Sequence, residues 1–139
     1  MKNTFLIFIL LLISNSTSWA QKNEVSREMN ARYGSGHPPE VPEFPGGYKA
    51  KAQFIAENLN YPPGAIREKI QGIVTIGFTI EKDGTLTEFR TLKSVYYSID
   101  AEALRIAESM PSWIPGKHLG ITIRTQHSID ILFKLPIQE

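Results

Sequence analysis

The sequence predicts an α+β domain of two layers, a three-stranded antiparallel sheet packed against helices. Three observations carry that expectation. Val74, Ile76, Phe78 and Ile80 alternate with Thr75, Gly77, Thr79 and Glu81, the period of a half-buried strand. Lys82-Asp83-Gly84-Thr85 follows at once, and Asp-Gly readily supplies the positive φ of a hairpin. A stretch of helical spacing then separates the hairpin from one more long run of alternation near the C-terminus.

Taken in order, the elements begin at Phe44-Pro45-Gly46-Gly47, a turn. Tyr48, Ala52, Ile55 and Leu59 then recur at helical spacing and predict an amphipathic helix over 47–58. Tyr61 before Pro62-Pro63 fixes an extended entry to a short helix starting at Pro63, with Ala65, Ile66 and Ile70 facing the core. Gly72 breaks that pattern before the first strand. The returning strand, 86–94, carries Leu86, Phe89 and Leu92 out of strict alternation, which a bulge near Glu88 would reconcile. Ser98 is placed to cap the next helix, with Asp100 and Glu102 in its first turn, at the positive end of the dipole. Ile99, Ala103, Ile106, Ala107 and Met110 form its buried stripe, and Pro111 stops it. An extended stretch anchored by Trp113 leads through a turn at Gly116–Gly120 to the last strand, 121–134. There Ile121, Ile123, Thr125, His127, Ile129, Ile131 and Phe133 share one register, and Thr122, Arg124, Gln126, Ser128, Asp130 and Lys134 the other. Of Tyr96 and Tyr97, one is expected to pack under the second main helix and one to be exposed.

The N-terminus reads as an address. Lys2, nine apolar residues Phe5–Ile13 and Ser18-Trp19-Ala20 make a charged region, a hydrophobic region and a small-x-small cleavage site. A spanning helix needs about 20 apolar residues, so residues 1–20 are expected to be a cleavable signal peptide and the product exported and soluble. Residues 21–43, with Gly34-Ser35-Gly36-His37-Pro38-Pro39, lack a sustained apolar period and read as a linker; the folded domain is expected over 44–136. Without Lys2 the formal charge of +1 falls to zero. That gives no reason to expect a nucleic-acid partner, or membrane association other than through partners or an uncleaved signal. Cysteine is absent, which excludes disulfides, thiol chemistry and lipid attachment at an N-terminal cysteine.

No local pattern announces catalysis or a cofactor. His37, His118 and His127 have no close ligand spacing, so no metal site is expected. His127 lies in the apolar register and reads as a partly buried core-edge residue. Asp83 shapes the hairpin, Asp100 sits at a helix start, and Asp130 lies on the solvent register. No nucleophile, paired carboxylate or phosphate-cradling glycine loop emerges, and the chain is expected not to be an enzyme.

The ordered pieces Phe44-Pro45-Gly46-Gly47, Tyr61-Pro62 with Ala65, Gln71-Gly72, Asp83-Gly84, Ser98-Ile99-Asp100 with Ala103, and Met110-Pro111-Ser112-Trp113-Ile114-Pro115-Gly116-Lys117 resemble the TonB C-terminal domain family, especially its Bacteroidetes-type form. The resemblance runs from Phe44 to Leu135. It implies a noncatalytic periplasmic module that engages outer-membrane receptors or other envelope proteins, an extended peptide adding beside the last strand. It also implies possible homodimers. The candidate partner-binding residues are Arg124, Gln126, Ser128, Asp130 and Lys134, on the solvent register of that strand. Transducers of the family resemble one another in an uncleaved anchor and a long spacer, where this chain has a short apolar run and a short linker. Two alternatives stand beside peptide binding: an envelope protein that self-associates or binds cell wall, and a minimal anchored transducer if the N-terminus is retained.

Overall fold

The computed structural model describes residues 39–136, together with Arg27 and Ala31. The signal-peptide features of 1–20, His37 and most of the linker lie outside the described residues.

Helix α1 spans Gly47–Asn58 and α2 Pro63–Arg67. Strand β1 (Gly72–Ile80) and strand β2 (Leu86–Lys93) form the hairpin, and helix α3 covers Tyr97–Glu108. Two short strands, β3 (Lys117–His118) and β4 (Ile121–Thr122), precede β5 (Thr125–Phe133). The sheet order is β2-β1-β5, all antiparallel. One sheet face carries Val74, Ile76, Phe78, Ile80, Ile129, Ile131 and Phe133, buried against Ile99, Ala103, Ile106 and Ala107 of α3. The α+β fold, its three-stranded antiparallel sheet and its helical layer are as the alternation predicts.

Local chemistry explains the punctuation. Pro45 and Gly46 occupy the centre of a turn closed by the Gly47 N–H donating to the Phe44 carbonyl at 2.8 Å. Gly46 at φ 85 supplies the left-handed conformation that a type II turn demands of its third residue. Tyr61 packs edge-on to Phe133 at 5.6 Å and donates its hydroxyl to the Ile70 carbonyl, tying the α2 entry to the end of β5. Trp113 is buried between Phe44 and Phe78, with ring centroids 5.8 and 5.4 Å away.

The bulge on β2 is present. Pairing slips between Gly77↔Arg90 and Thr79↔Thr87, and Glu88 sits there at φ 53, so Leu86 and Phe89 both face the core. A second slip, between Thr75↔Lys93 and Ile76↔Thr91, leaves Leu92 on the outer face above Gly77. Tyr96 packs against the core and Tyr97 is exposed. A hydrogen bond to Glu68 pushes the Tyr96 hydroxyl up to about 12.

Four expectations are corrected. Ser98 does not cap α3: Tyr96 is the N-cap, and the Asp100 carboxylate instead accepts from the Val95 N–H (2.9 Å) and the Ser94 hydroxyl. Ile66 is exposed, because a helix of five residues turns only Ala65 fully inward. The α1 stripe is rotated, with Ala50, Phe54, Ile55 and Leu59 against the core and Tyr48 78% exposed. Finally, the strand expected over 121–134 is broken at Ile123–Arg124, and its first two residues pair with β3 across a Leu119-Gly120 turn. That ribbon continues backwards: Glu40 and Glu43, inside the segment read as linker, bridge Lys117 and Ile114.

Candidate functional site: the β5 edge

The site is built from one strand edge and one helix flank. Among the described residues β5 pairs only with β1, through nine consecutive pairs from Gly72↔Phe133 to Ile80↔Thr125 with no irregularity. The orientation of its main chain follows from the hairpin. Glu81 turns both its N–H (to the Thr85 carbonyl, 2.9 Å) and its carbonyl (from the Gly84 N–H, 2.9 Å) to the β2 side. Main-chain groups alternate sides along a strand, so the even-numbered residues of β1 are the ones that turn toward β5. Their partners there are Thr125, His127, Ile129, Ile131 and Phe133. Gln126, Ser128, Asp130 and Leu132 therefore aim their N–H and C=O groups outward.

Beside this edge lies α1. Tyr48, Lys51, Ala52, Ile55, Ala56 and Leu59 face Ser128, Ile129, Asp130 and Leu132 across a groove of about 540 Å³. A hollow of about 380 Å³ adjoins it, sharing Tyr48 and Lys51 and adding Trp113, His127 and Glu43. The helix is held from both ends. Phe44, just before its start, packs at a tilt on Phe54 with ring centroids 5.7 Å apart. At its end Arg105 donates to the Asn58 carbonyl (2.6 Å), and Glu102 accepts from the Asn60 N–H (2.8 Å). The Arg105 guanidinium beside Glu102 holds that carboxyl below its ordinary range. No residue of α1 is fully buried, so the flank it turns to the groove keeps apolar surface in reach of solvent.

The five candidate side chains separate into two groups. Arg124 lies just before β5 and is spent internally, its guanidinium 3.0 Å from Glu81 and 2.8 Å from Glu88. Asp130 accepts from the Thr75 hydroxyl at 2.6 Å, a tie between β5 and β1. Gln126, Ser128 and Lys134 are exposed. These side chains project to the sheet face opposite the helices, so the edge shares their backbone with the groove and not their functional groups. His127 projects inward, 5.1 Å from the Trp113 ring and 5.9 Å from Phe78. Burial there, with a contribution from Lys51, pushes its imidazole below the ordinary 6.5. Among the described residues no cluster of three or more His, Asp or Glu side chains could hold a metal, and no helix is long and apolar enough to cross a membrane.

The family described as Gram-negative bacterial TonB protein C-terminal matches residues 57–135. The chain belongs to that family. Two solution structures of the Helicobacter pylori TonB-CTD resemble this TonB C-terminal domain. One, 23% identical, covers 65% of this chain and 95% of that one with a TM-score of 0.47. A longer form, also 23% identical, covers 61% and 78% with a TM-score of 0.42. No curated protein matches the chain. The matched span starts at Glu57, so nearly all of the helix that walls the groove precedes it. Sequence reasoning missed that wall. The only available signal was Tyr48 and Ala52, apolar positions that a helix packed solely on α3 and the sheet would have buried.

Proposed function

We propose that this TonB C-terminal domain is a noncatalytic periplasmic binding module that takes an extended segment of an outer-membrane receptor or other envelope protein as a fourth strand on β5. The observation that carries the reading is a flat, regular edge whose outward main-chain groups lie beside a solvent-reachable apolar helix flank. An unpaired edge in a soluble domain invites another strand, and the helix offers one row of its side chains a dry surface. We read residues 1–20 as a removable export signal and the following stretch, up to the folded domain at 44–136, as a linker. The Met110–Lys117 motif supports the Bacteroidetes-type form of the family. A second copy of the chain is the natural competitor for the same edge, and pairing of two β5 strands is the homodimer such an edge would make.

Ser128→Pro tests the reading. It removes an outward N–H, which a strand edge tolerates, and leaves every bond to β1 in place. The expected result is a variant that melts within a few degrees of the wild type and loses the partners wild type retains from envelope extract. A folded Ser128→Pro chain that keeps all of them would sink the proposal.

A further inference from the structure

The outer face of the sheet, opposite the helices, is finished at one end and open at the other. At the hairpin end the Thr79 hydroxyl donates to Glu88 at 2.7 Å and the Thr87 hydroxyl to Glu81 at 2.6 Å. Arg124 reaches both carboxylates, so the polar groups there satisfy one another. At the end where β1 begins, Ile73 and Leu132 sit opposite each other in the ladder, 40% and 57% exposed. Leu92, 52% exposed, lies over Gly77 on the same face. Just past the strand ends, Ile66, Lys69, Leu135 and Pro136 border a hollow of about 260 Å³. Lys93 stands opposite Thr75, and Lys134 follows β5 directly. Lys69, Lys93 and Lys134 are exposed, and among the described residues none of them enters an ion pair. The nearby acids are engaged: Asp130 accepts from the Thr75 hydroxyl, and Glu68 is bonded to Tyr96.

We propose that this end of the outer face docks on an anionic phospholipid leaflet, with Ile73, Leu92 and Leu132 entering the headgroup layer and the three lysines meeting its phosphates. Aliphatic side chains grouped on a solvent face mark a contact surface, and lysine stems lie along such a surface while their ammonium groups reach outward. Each lysine near an anionic leaflet strengthens attachment about fivefold. A second copy is a poor occupant, because a twofold contact through this patch sets its lysines against those of the partner. Protein hot spots centre on Trp, Tyr or Arg seated in a pocket, whereas this patch is aliphatic and lysine on an open sheet face. A leaflet supplies the complementary charge and asks for no matching shape. The formal charge of zero for the chain without residues 1–20 does not register the patch. Net charge is summed over the whole chain, while attraction to a charged surface acts within about 10 Å.

The chain has no cysteine, so Leu92→Cys and Gln53→Cys can each carry one polarity-sensitive fluorophore, on the outer face and on α1 respectively. Each is mixed with vesicles of phosphatidylcholine alone or enriched in phosphatidylglycerol. The label at position 92 should shift to the blue on the anionic vesicles only, added salt should reverse the shift, and the label at position 53 should not respond. In flotation of the unlabelled chain, Lys93→Glu with Lys134→Glu should lower partitioning more than about twentyfold, while Lys93→Arg with Lys134→Arg should keep it. Ile73→Thr should lower it about threefold. Flotation that the charge reversal leaves unchanged, as the apolar run Phe5–Ile13 would give by itself, overturns the proposal. So does equal flotation on neutral and anionic vesicles, or a response of the position 53 label alone. An absence of flotation overturns it as well and leaves an acidic protein as the occupant of the patch.

Discussion

The two edges of this sheet are made differently. The β2 edge is interrupted twice within eight residues, first where Glu88 takes φ 53 and again where Leu92 is squeezed outward. Its exposed side chains include Glu88, Arg90 and Lys93. Bulges and charges of this kind spoil an edge as a template for another strand. The β5 edge has no bulge and little charge: nine pairs run without a slip, and of its outward residues Gln126, Ser128, Asp130 and Leu132 only Asp130 is charged. A sheet with one edge blunted and the other regular favours one docking direction, and this contrast supports the recognition proposed at β5 without appeal to the family.

The sharpest way to break that comparison is to ignore its parity. Ile129 is buried and bonded to β1, so Ile129→Pro removes a ladder bond and a core side chain together. It should cost at least about 3 kcal/mol by chemical denaturation. If Ile129→Pro were as well tolerated as Ser128→Pro, the assignment of outward groups would be reversed. A smaller effect lies at His127. Its folded-state pKa is depressed below 6.5, so the unfolded chain binds the proton more readily. Stability should be full above pH 6.5 and fall as the pH drops from there toward the folded value, then level off until the carboxylates titrate. Melting curves of wild type and His127→Gln between pH 7.5 and 5 check this, with the step absent in the variant. The smallest change should come from Arg124→Ala, which severs the exposed tie between the start of β5 and Glu88 on the blunted strand. Tm should barely move and peptide affinity should hold, because exposed ion pairs stabilise little and this guanidinium faces away from the groove. A large loss of binding would restore Arg124 as a contact.

How much of this was legible in the sequence depended on the range of the interaction. The Leu86–Phe89 spacing of three, set between alternating neighbours, is a local conflict that only an extra residue resolves, so the bulge could be read from it. Trp113 and the α3 stripe were legible because burial there obeys one period. The β3-β4 hairpin was not. Its turn puts Leu119 at φ 52, a conformation that ordinarily calls for Asn or Gly, so no turn signal was present at that position. Ser98 misled because a serine before an apolar run resembles a cap, whereas the loop is held by Asp100 from inside the helix. The groove was illegible for a stronger reason: it exists only when α1 and β5, about 70 residues apart, lie side by side, and alternation in one says nothing of the other.

The central position of β1 carries a temporal consequence. Its second partner is the last strand of the sheet, so Gly72 waits for Phe133 and the β1 edge stays uncovered until β5 has emerged. Contacts of such long sequence separation form late. A chain synthesised from its N-terminus thus holds an incomplete sheet until β5 arrives. Truncation before β5 should therefore prevent folding and not merely abolish binding.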